Sequence, residues 1–454
     1  MSSQADRDGL RNELIPGTVA TAFAGSPFYR ALYENHNINV AAIQNVNDLQ
    51  ALPVVTKDQL RTAGRAALCW PDRTPVSHIQ NTTGTTGEQF FLYRSVAETK
   101  FIFDFYAELA AAEPHPHPAP VMLQLQLPHH GTSTSVPAPV FAIPFSVNDD
   151  HLIEYAVVLL RKEFDIPGVD RRVSILSGSQ TGILTLTNYL LEHDVDCKRE
   201  FGIKLIHVEG RYLTSRWRRV LREAWGAAIS DKYSLAEVFG GAGWCGECEG
   251  FHFDPHVVPE LIDFAGEKTL GAGVGVLLLT SLYPFVQLQP MIRYATGDIF
   301  ALDPDRCSEP RFEFLGRRSH ALFNPKNPSE LWLTGIDIIE ALDPIPEINR
   351  TARFRDLTSV QYSKATGRLR VRGYRQEMNG ICNLTLKVEV SVPISLYPER
   401  RQTLEKEIAA DLLARSTTLS QLVSKGEVTL GVDLVKSGTL GTLERITQLW
   451  LEEK

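Results

Sequence analysis

The chain lacks what several large classes of protein require. No apolar run approaches the about 20 residues needed to span a bilayer, and Met1 to Leu14 is too polar for a signal peptide. Positive charge is in short supply. Against 54 Asp and Glu there are 46 Lys and Arg, a net charge of −8. With no basic run either, a nucleic-acid footprint is excluded. Six cysteines in 454 residues make no disulfide scaffold, so a reduced, cytoplasmic protein is expected. Internal repeats and low-complexity tracts are also missing, which sets aside solenoid architectures.

What is present describes a globular chain of more than one domain. Its length exceeds one ordinary core, and 43% hydrophobic with 22% charged residues is typical of soluble proteins. Ser26-Pro27-Phe28-Tyr29-Arg30 opens a short helix ending near Asn35. Leu52 to Leu60 carries a capping box, Thr56 with Gln59 three residues on. Val96 to Ala112, apolar on most faces, reads as a buried helix and Val121 to Leu125 as a strand. From Asp149 to Trp225 helices and strands alternate, with helices over 149–164, 181–193 and 214–225 and strands over 172–176 and 203–208. This alternation predicts an α/β domain with mostly parallel sheets covered by helices. Gly273 to Leu282 follows as an apolar strand pair or one long strand. Beyond Arg317 the pattern changes to short strands (369–371, 384–390, 427–435) and one charged helix, Pro398 to Arg415. The expected division is therefore a core domain over 1–317 and a small α+β domain over 318–454.

One stretch stands out chemically. Asn81-Thr82-Thr83-Gly84-Thr85-Thr86-Gly87 lies between two strand-like segments. Glycines let backbone N–H groups turn inward and threonines add hydroxyl donors, a combination suited to a polyphosphate. No Gly-Lys-Ser/Thr follows, so it is not a Walker A loop. A polar hairpin turn has the same composition.

Three further motifs follow in order: Tyr233-Ser234-Leu235-Ala236-Glu237, Tyr294-Ala295-Thr296-Gly297-Asp298, and Leu315-Gly316-Arg317. Together with the Thr/Gly loop they resemble the adenylate-forming superfamily, and within it phenylacetate–CoA ligase and its relatives. Ser26 to Tyr29, Leu52 to Leu60, Val238 after Glu237 and Met291-Ile292-Arg293-Tyr294 support the likeness, which covers roughly residues 25 to 345. The resemblance implies that Thr82, Thr83, Gly84, Thr85, Thr86 and Gly87 hold the β- and γ-phosphates of ATP. It implies Glu237 as the Mg2+ ligand, Asp298 at the ribose hydroxyls and Arg317 reaching the ribose from an interdomain hinge. Tyr233, Ser234 and Ala236, with the turn Val208-Glu209-Gly210, would flank adenine. The implied reaction joins a carboxylic acid to AMP with release of pyrophosphate and then passes the acyl group to coenzyme A. An amine or a carrier protein is the alternative acceptor, and a member that binds nucleotide without adenylating is a third form. The acid, the acceptor and the oligomeric state stay open, a homodimer included.

A second constellation is Cys245-Gly246-Glu247-Cys248, with His252 close behind and Cys307 about sixty residues on. A Cys-x-x-Cys and a nearby His are three ligands of zinc type, and one more thiolate would close a tetrahedral structural site. His129-His130-Gly131 falls where the acyl pocket of such enzymes begins, and Phe141, Phe145, Phe239 and Trp244 are candidates to line it for an aryl or apolar acid. The chain also departs from the family. Glu88-Gln89 follow Gly87 where a lysine is usual, and Arg318-Ser319-His320 follow Gly316-Arg317. The family's C-terminal Gly-Lys is missing: Gly438-Thr439-Leu440 runs into Gly441-Thr442-Leu443-Glu444-Arg445. Lys436 and Arg445 are the candidates to replace that lysine, although an ammonium and a guanidinium are not interchangeable at a tight site.

Overall fold

The computed structural model describes residues 4–83, 89–112, 118–125, 141–147, 149–351, 367–441 and 449–452. The chain divides into two compact units, both discontinuous in sequence. The first is built mainly from Met1–Pro120 and Ser230–Phe314, the second mainly from Ala142–Ile229 and Leu315–Lys454 with the short segment Val121–Pro128.

The first unit opens with helix Gln4–Gly25, which sequence reading had taken only as a polar terminus. Ile15, Val19 and Ala22 form one apolar stripe at helical spacing, and all three are fully buried. Ser26 then caps helix Pro27–Asn35 through its hydroxyl, with Pro27 in the first turn where its missing N–H costs nothing. The capping box of Thr56 and Gln59 is formed in both directions and starts helix Lys57–Ala63. Strands Val76–Thr83 and Gln89–Ser95 pair antiparallel and lead into helix Val96–Ala112. That helix is not buried all round: Glu98 and Ile102 face inward, while Val96 and Phe103 are exposed, since apolar composition alone does not say which faces meet a neighbour.

The main strands of this unit lie in the order 269–270, 257–262, 273–281, 294–303, 311–317, 250–253, 241–245, 228–234. Their described pairings are antiparallel. Several are joined by short returns, which permit only antiparallel neighbours. An apolar run marks a strand but not its direction, so the parallel arrangement expected for the chain belongs elsewhere.

In the second unit it is found. Strand Leu205–Glu209 pairs parallel with Val169–Ser179, and helix Gln180–Glu192 intervenes in sequence. Leu123, Leu176, Leu184, Ile206 and Trp225 are buried in one core. A separate core draws only on residues from Leu322 onward, among them Leu386, Val388, Leu404 and Leu412. Here the strand order is 428–436, 381–390, 371–378, 450–452. Instead of one charged helix this segment has three among its described residues, because Thr334 and Ser416 each cap a short apolar helix (Gly335–Leu342, Thr417–Ser424) beside Pro398–Arg415. No helix among the described residues is long and apolar enough to cross a membrane.

Arg293 is the most heavily used polar group of the first unit. It lies at φ +46° with its side chain buried. Its guanidinium donates to the carbonyls of Gln50 and Leu52 at 3.3 and 2.6 Å, to Thr269 Oγ1 at 3.0 Å and to Glu260 at 3.3 Å. Burial pushes the Glu260 carboxyl up, and Arg293 works against that shift. Arg293→Met is therefore expected to lower unfolding free energy by about 3–5 kcal/mol, since it strands a buried carboxylate. Urea titration of both proteins checks this, and equal midpoints would contradict it.

Candidate active site and metal centre

The turn after strand Ala228–Ser234 positions the Tyr-x-x-x-Glu motif. Ser234 pairs with Gly241 across the return, and a Cβ on Gly241 would lie 2.1 Å from the Tyr233 carbonyl oxygen. Only glycine allows so close a return. Within it the Ala236 carbonyl accepts a hydrogen bond from Arg94 at 3.4 Å, while Arg94 itself pairs with the fully buried Glu98. The Glu98 carboxylate also accepts the Gln287 and Leu288 N–H groups at 3.0 and 2.9 Å. This buried pair thus fixes the turn and the helix Val96–Ala112 to the loop before Arg293.

Glu237 is buried and already engaged. Lys57 Nζ donates to its Oε1 at 2.8 Å, and the Tyr294 hydroxyl donates to the same oxygen at 3.3 Å. Lys57 is the first residue of the helix capped by Thr56, and Val55 forms a parallel bridge with Tyr294. The bridge between Val55 and Tyr294 therefore sets two partners of Glu237, Lys57 and Tyr294, side by side.

Asp298 is held by a bulge. Val276 pairs with Ile299 and Leu278 with Ala295, so Thr296, Gly297 and Asp298 together face Leu277. Gly297 takes φ +74°, and Thr296 Oγ1 both donates to the Leu277 carbonyl at 2.9 Å and accepts the Asp298 N–H at 3.1 Å. Bulges of this kind re-aim a side chain. The Asp298 carboxylate accepts the Tyr233 hydroxyl at 2.7 Å, joining two motifs 65 positions apart. The Tyr233 ring packs edge-on against Phe300 at 4.9 Å and tilts against Phe314 at 5.8 Å.

The first unit thus brings Tyr233, Glu237 and Asp298 together with Lys57 and Tyr294; Ser234 and Ala236 lie on the same turn. Val208, Glu209, Gly210, Arg317 and Lys436 belong to the second unit. Val208 and Glu209 end their strand and Gly210 follows at φ +85°. Arg317 ends strand Arg311–Arg317 after Gly316 at φ +101°. Lys436 closes strand Val428–Lys436 and is exposed, its carbonyl accepting from the Thr439 hydroxyl at 2.7 Å. Thr82 and Thr83 are the last residues of their strand; Gly84, Thr85, Thr86, Gly87, His129, His130 and Arg445 lie outside the described residues. Phe141 is exposed, and Phe145 stacks on Tyr155. Trp244 packs edge-on against Phe251.

Phe239 belongs to an aromatic cluster that the motifs did not announce. His256 lies 5.3 Å from it, 4.8 Å from Phe285 and 6.4 Å from Tyr106, ring centre to ring centre. Neither His256 nitrogen has a hydrogen-bond partner among the described residues. Burial pushes this imidazole down to about 4; Asp254 opposes the shift, while Lys232 and Arg11 add to it.

The four proposed zinc ligands do converge. The ligand atoms of Cys245, Cys248, His252 and Cys307 all lie within 4.8 Å of one another, and Cys248 Sγ is 3.4 Å from His252 Nε2. Tetrahedral zinc, at about 2.3 Å from sulfur and about 2.0 Å from nitrogen, needs ligand separations of about 3.5–3.8 Å, so the donor set fits. Burial raises the Cys245 thiol, but the Cys248 and Glu247 N–H groups and the neighbouring thiols more than offset this and hold it below its usual range. Cys248 is pushed up to about 12, by burial first and then by the Cys245 and Cys307 sulfurs. Such crowding is what a divalent cation relieves. Around the ligands, His252 Nδ1 faces Glu309 at 3.9 Å, Arg7 pairs with Glu309 at 3.1 Å, and Arg311 donates to the Cys248 carbonyl at 2.7 Å.

Known proteins place this arrangement. No family model matches the chain. The fold is that of the acyl-CoA ligases of the adenylate-forming type. The 2-hydroxyisobutyryl-CoA ligase in the postadenylation state superposes with a TM-score of 0.67 at 17% identity over 100% of this chain and 90% of that one. The same enzyme in an open conformation with 2-HIB-AMP and CoA gives 0.66 at 18% identity over 99% and 93%. In sequence the chain is similar to the phenylacetate-coenzyme A ligase of Thermus thermophilus, 26% identical over 312 residues. The match spans 66% of this chain and 66% of that relative's length. The likeness carried by the four sequence motifs is thus found again in an aligned relative and in the fold.

Two outcomes follow from the site. His256 is neutral when folded and gains a proton on unfolding below its ordinary 6.5, so its contribution is present above that pH and lost as pH falls towards 4. Between about pH 7 and about pH 5 the wild type should lose about 2 kcal/mol more stability than His256→Gln. Equal losses in paired urea titrations would count against it. Purified protein should also carry about one zinc by elemental analysis, and Cys248→Ser should lose the metal with a lower Tm. Zinc-free protein after metal-replete expression would contradict the fit.

Proposed function

We propose that the chain is an ATP-dependent acid ligase that forms an acyl-AMP and pyrophosphate and then transfers the acyl group to coenzyme A. The observation that carries this reading is the buried Asp298, aimed by its bulge onto Tyr233 in the unit that also holds Glu237. Fold and aligned relative support the same reaction class. A carboxylic acid is already ionised at neutral pH and needs no general base to attack a phosphate. The catalytic task is to bring two anions together and screen their repulsion.

In this reading Asp298 accepts the ribose hydroxyls while Tyr233, fixed by its own bond to Asp298, borders the adenine with Ser234 and Ala236. The resemblance assigns Val208, Glu209 and Gly210 to the base and Arg317 to the ribose. Thr82 to Gly87 take the β- and γ-phosphates. Magnesium, when bound, supplies the positive charge that neutralises the triphosphate and pyrophosphate. Glu237 offers the carboxylate for it. Zinc held by Cys245, Cys248, His252 and Cys307 is structural, tying two loops of the first unit. Phe239, Phe141, His129 and His130 border the acid, which is aryl or apolar. Residues 318–454, with a core of their own, form the mobile domain that turns about Arg317 between the two half-reactions. The place of action is the cytoplasm, where ATP and reduced thiols coincide.

The missing Gly-Lys supports a second reading, in which acyl transfer from a supplied acyl-AMP outruns its synthesis and an amine or carrier protein takes the acyl group. Acid-dependent exchange of pyrophosphate into ATP, across aryl and alkyl acids, tests the first reading. Asp298→Ala should weaken ATP or AMP by about 1.5–3 kcal/mol in calorimetry. Unchanged affinity would remove Asp298 from the nucleotide site.

A further inference from the structure

The Lys57–Glu237 pair poses an electrostatic problem for the proposed reaction. The Glu237 side chain is only 9% exposed. A carboxylate so far from water needs a counter-ion, and in this structure Lys57 is that ion at 2.8 Å. Yet the same carboxylate is the one offered to magnesium, and an ammonium cannot stay on Oε1 once a divalent cation takes it. Lys57 must then go elsewhere.

Its surroundings say where. The backbone of Lys57 is fixed by the Thr56 cap and by the bridge of Val55 to Tyr294. Its side chain is 26% exposed and carries the ammonium on a flexible four-carbon stem, so the charge can swing while the helix stays in place. Nζ stands 5.3 Å from the centroid of the Phe90 ring. Phe90 pairs with Thr82 across strands Val76–Thr83 and Gln89–Ser95, the two strands that lead into and out of the Thr/Gly stretch. The ammonium thus already stands beside the next-to-last residue pair of the strands that flank the stretch assigned to the phosphates.

We infer that Lys57 is the counter-ion of Glu237 as long as no divalent cation is on that carboxylate, and becomes a polyphosphate contact when magnesium takes it. The inference rests on the nucleotide reading above. Every charge keeps a partner in the exchange. Magnesium replaces one ammonium at Glu237, and the released ammonium meets the phosphate oxygens, so neither the carboxylate nor the lysine is left buried alone. Lys57 belongs to the first unit and so does not depend on the C-terminal segment, where the family's lysine would sit. It offers a positive charge to the nucleotide that neither Lys436 nor Arg445 has to supply.

Calorimetric titration with ATP at graded magnesium, on wild type, Lys57→Met and Lys57→Arg, tests this. Methionine keeps the stem against Phe90 and removes the charge. It should weaken Mg-ATP by about 10- to 100-fold, the worth of one charge-assisted contact. It should also lower the magnesium concentration at half-saturation several-fold, because Glu237 has lost its competing cation. Arginine should restore nucleotide affinity to within a few-fold of wild type. Opposite shifts for nucleotide and metal are what a purely structural ion pair does not produce. Methionine within twofold of wild type on both measures would overturn the inference, as would equal weakening by methionine and arginine. Absence of Mg-ATP binding in the wild type would instead overturn the nucleotide reading itself.

Discussion

The burial of one guanidinium governs much of the first unit. Arg293 can satisfy its donors only by gathering the carbonyls of Gln50 and Leu52, Thr269 and the Glu260 carboxylate around it. That requirement draws the Leu52–Val55 segment onto the strand beginning at Tyr294, where Val55 exchanges hydrogen bonds with Arg293 and Ala295 at 3.1 and 2.8 Å. Everything downstream follows from the docking. Thr56 starts its helix there, Lys57 meets Glu237, and Tyr294 arrives at the same carboxylate from its own strand.

Charge is handled in a common way throughout this unit. Lys57 with Glu237, Arg94 with Glu98, and Arg293 with Glu260 are three cation–carboxylate pairs withdrawn from water to different degrees. Breaking a pair in such places costs more than the pair contributes, so each fixes geometry more than it adds stability. The thiol cluster is the exception, because its partner charge is not another side chain. Its sulfurs crowd one another, and the neighbouring Arg7, Glu309 and Arg311 order the loops without neutralising them. The four donors lie close enough together for a cation to supply that charge.

Much of this was legible in the residues themselves. Caps work within one turn of chain, so the box at Thr56 was legible. Cys-x-x-Cys spacing and the order of the Thr/Gly, Tyr233–Glu237, Asp298 and Arg317 motifs are likewise linear signals. Helix Gln4–Gly25 escaped because its stripe is narrow and carries Pro16, and the two short helices near the C-terminus because three apolar positions also suit a strand. Lys57 was in view as part of a capping box. Nothing in its position along the chain says that its ammonium meets a glutamate 180 residues away.

The sequence by itself determined the local elements, the candidate chemistry and the superfamily likeness, because propensity, capping and motif spacing act over a few residues. Tertiary structure alone decided which strands run antiparallel and that Tyr233 bonds to Asp298 across 65 positions. It also decided that Phe239 shares a cluster with a neutral His256. Those outcomes depend on long-range burial: a side chain's partner is whichever group the packing of distant segments leaves beside it, and that choice is written nowhere in the neighbouring residues.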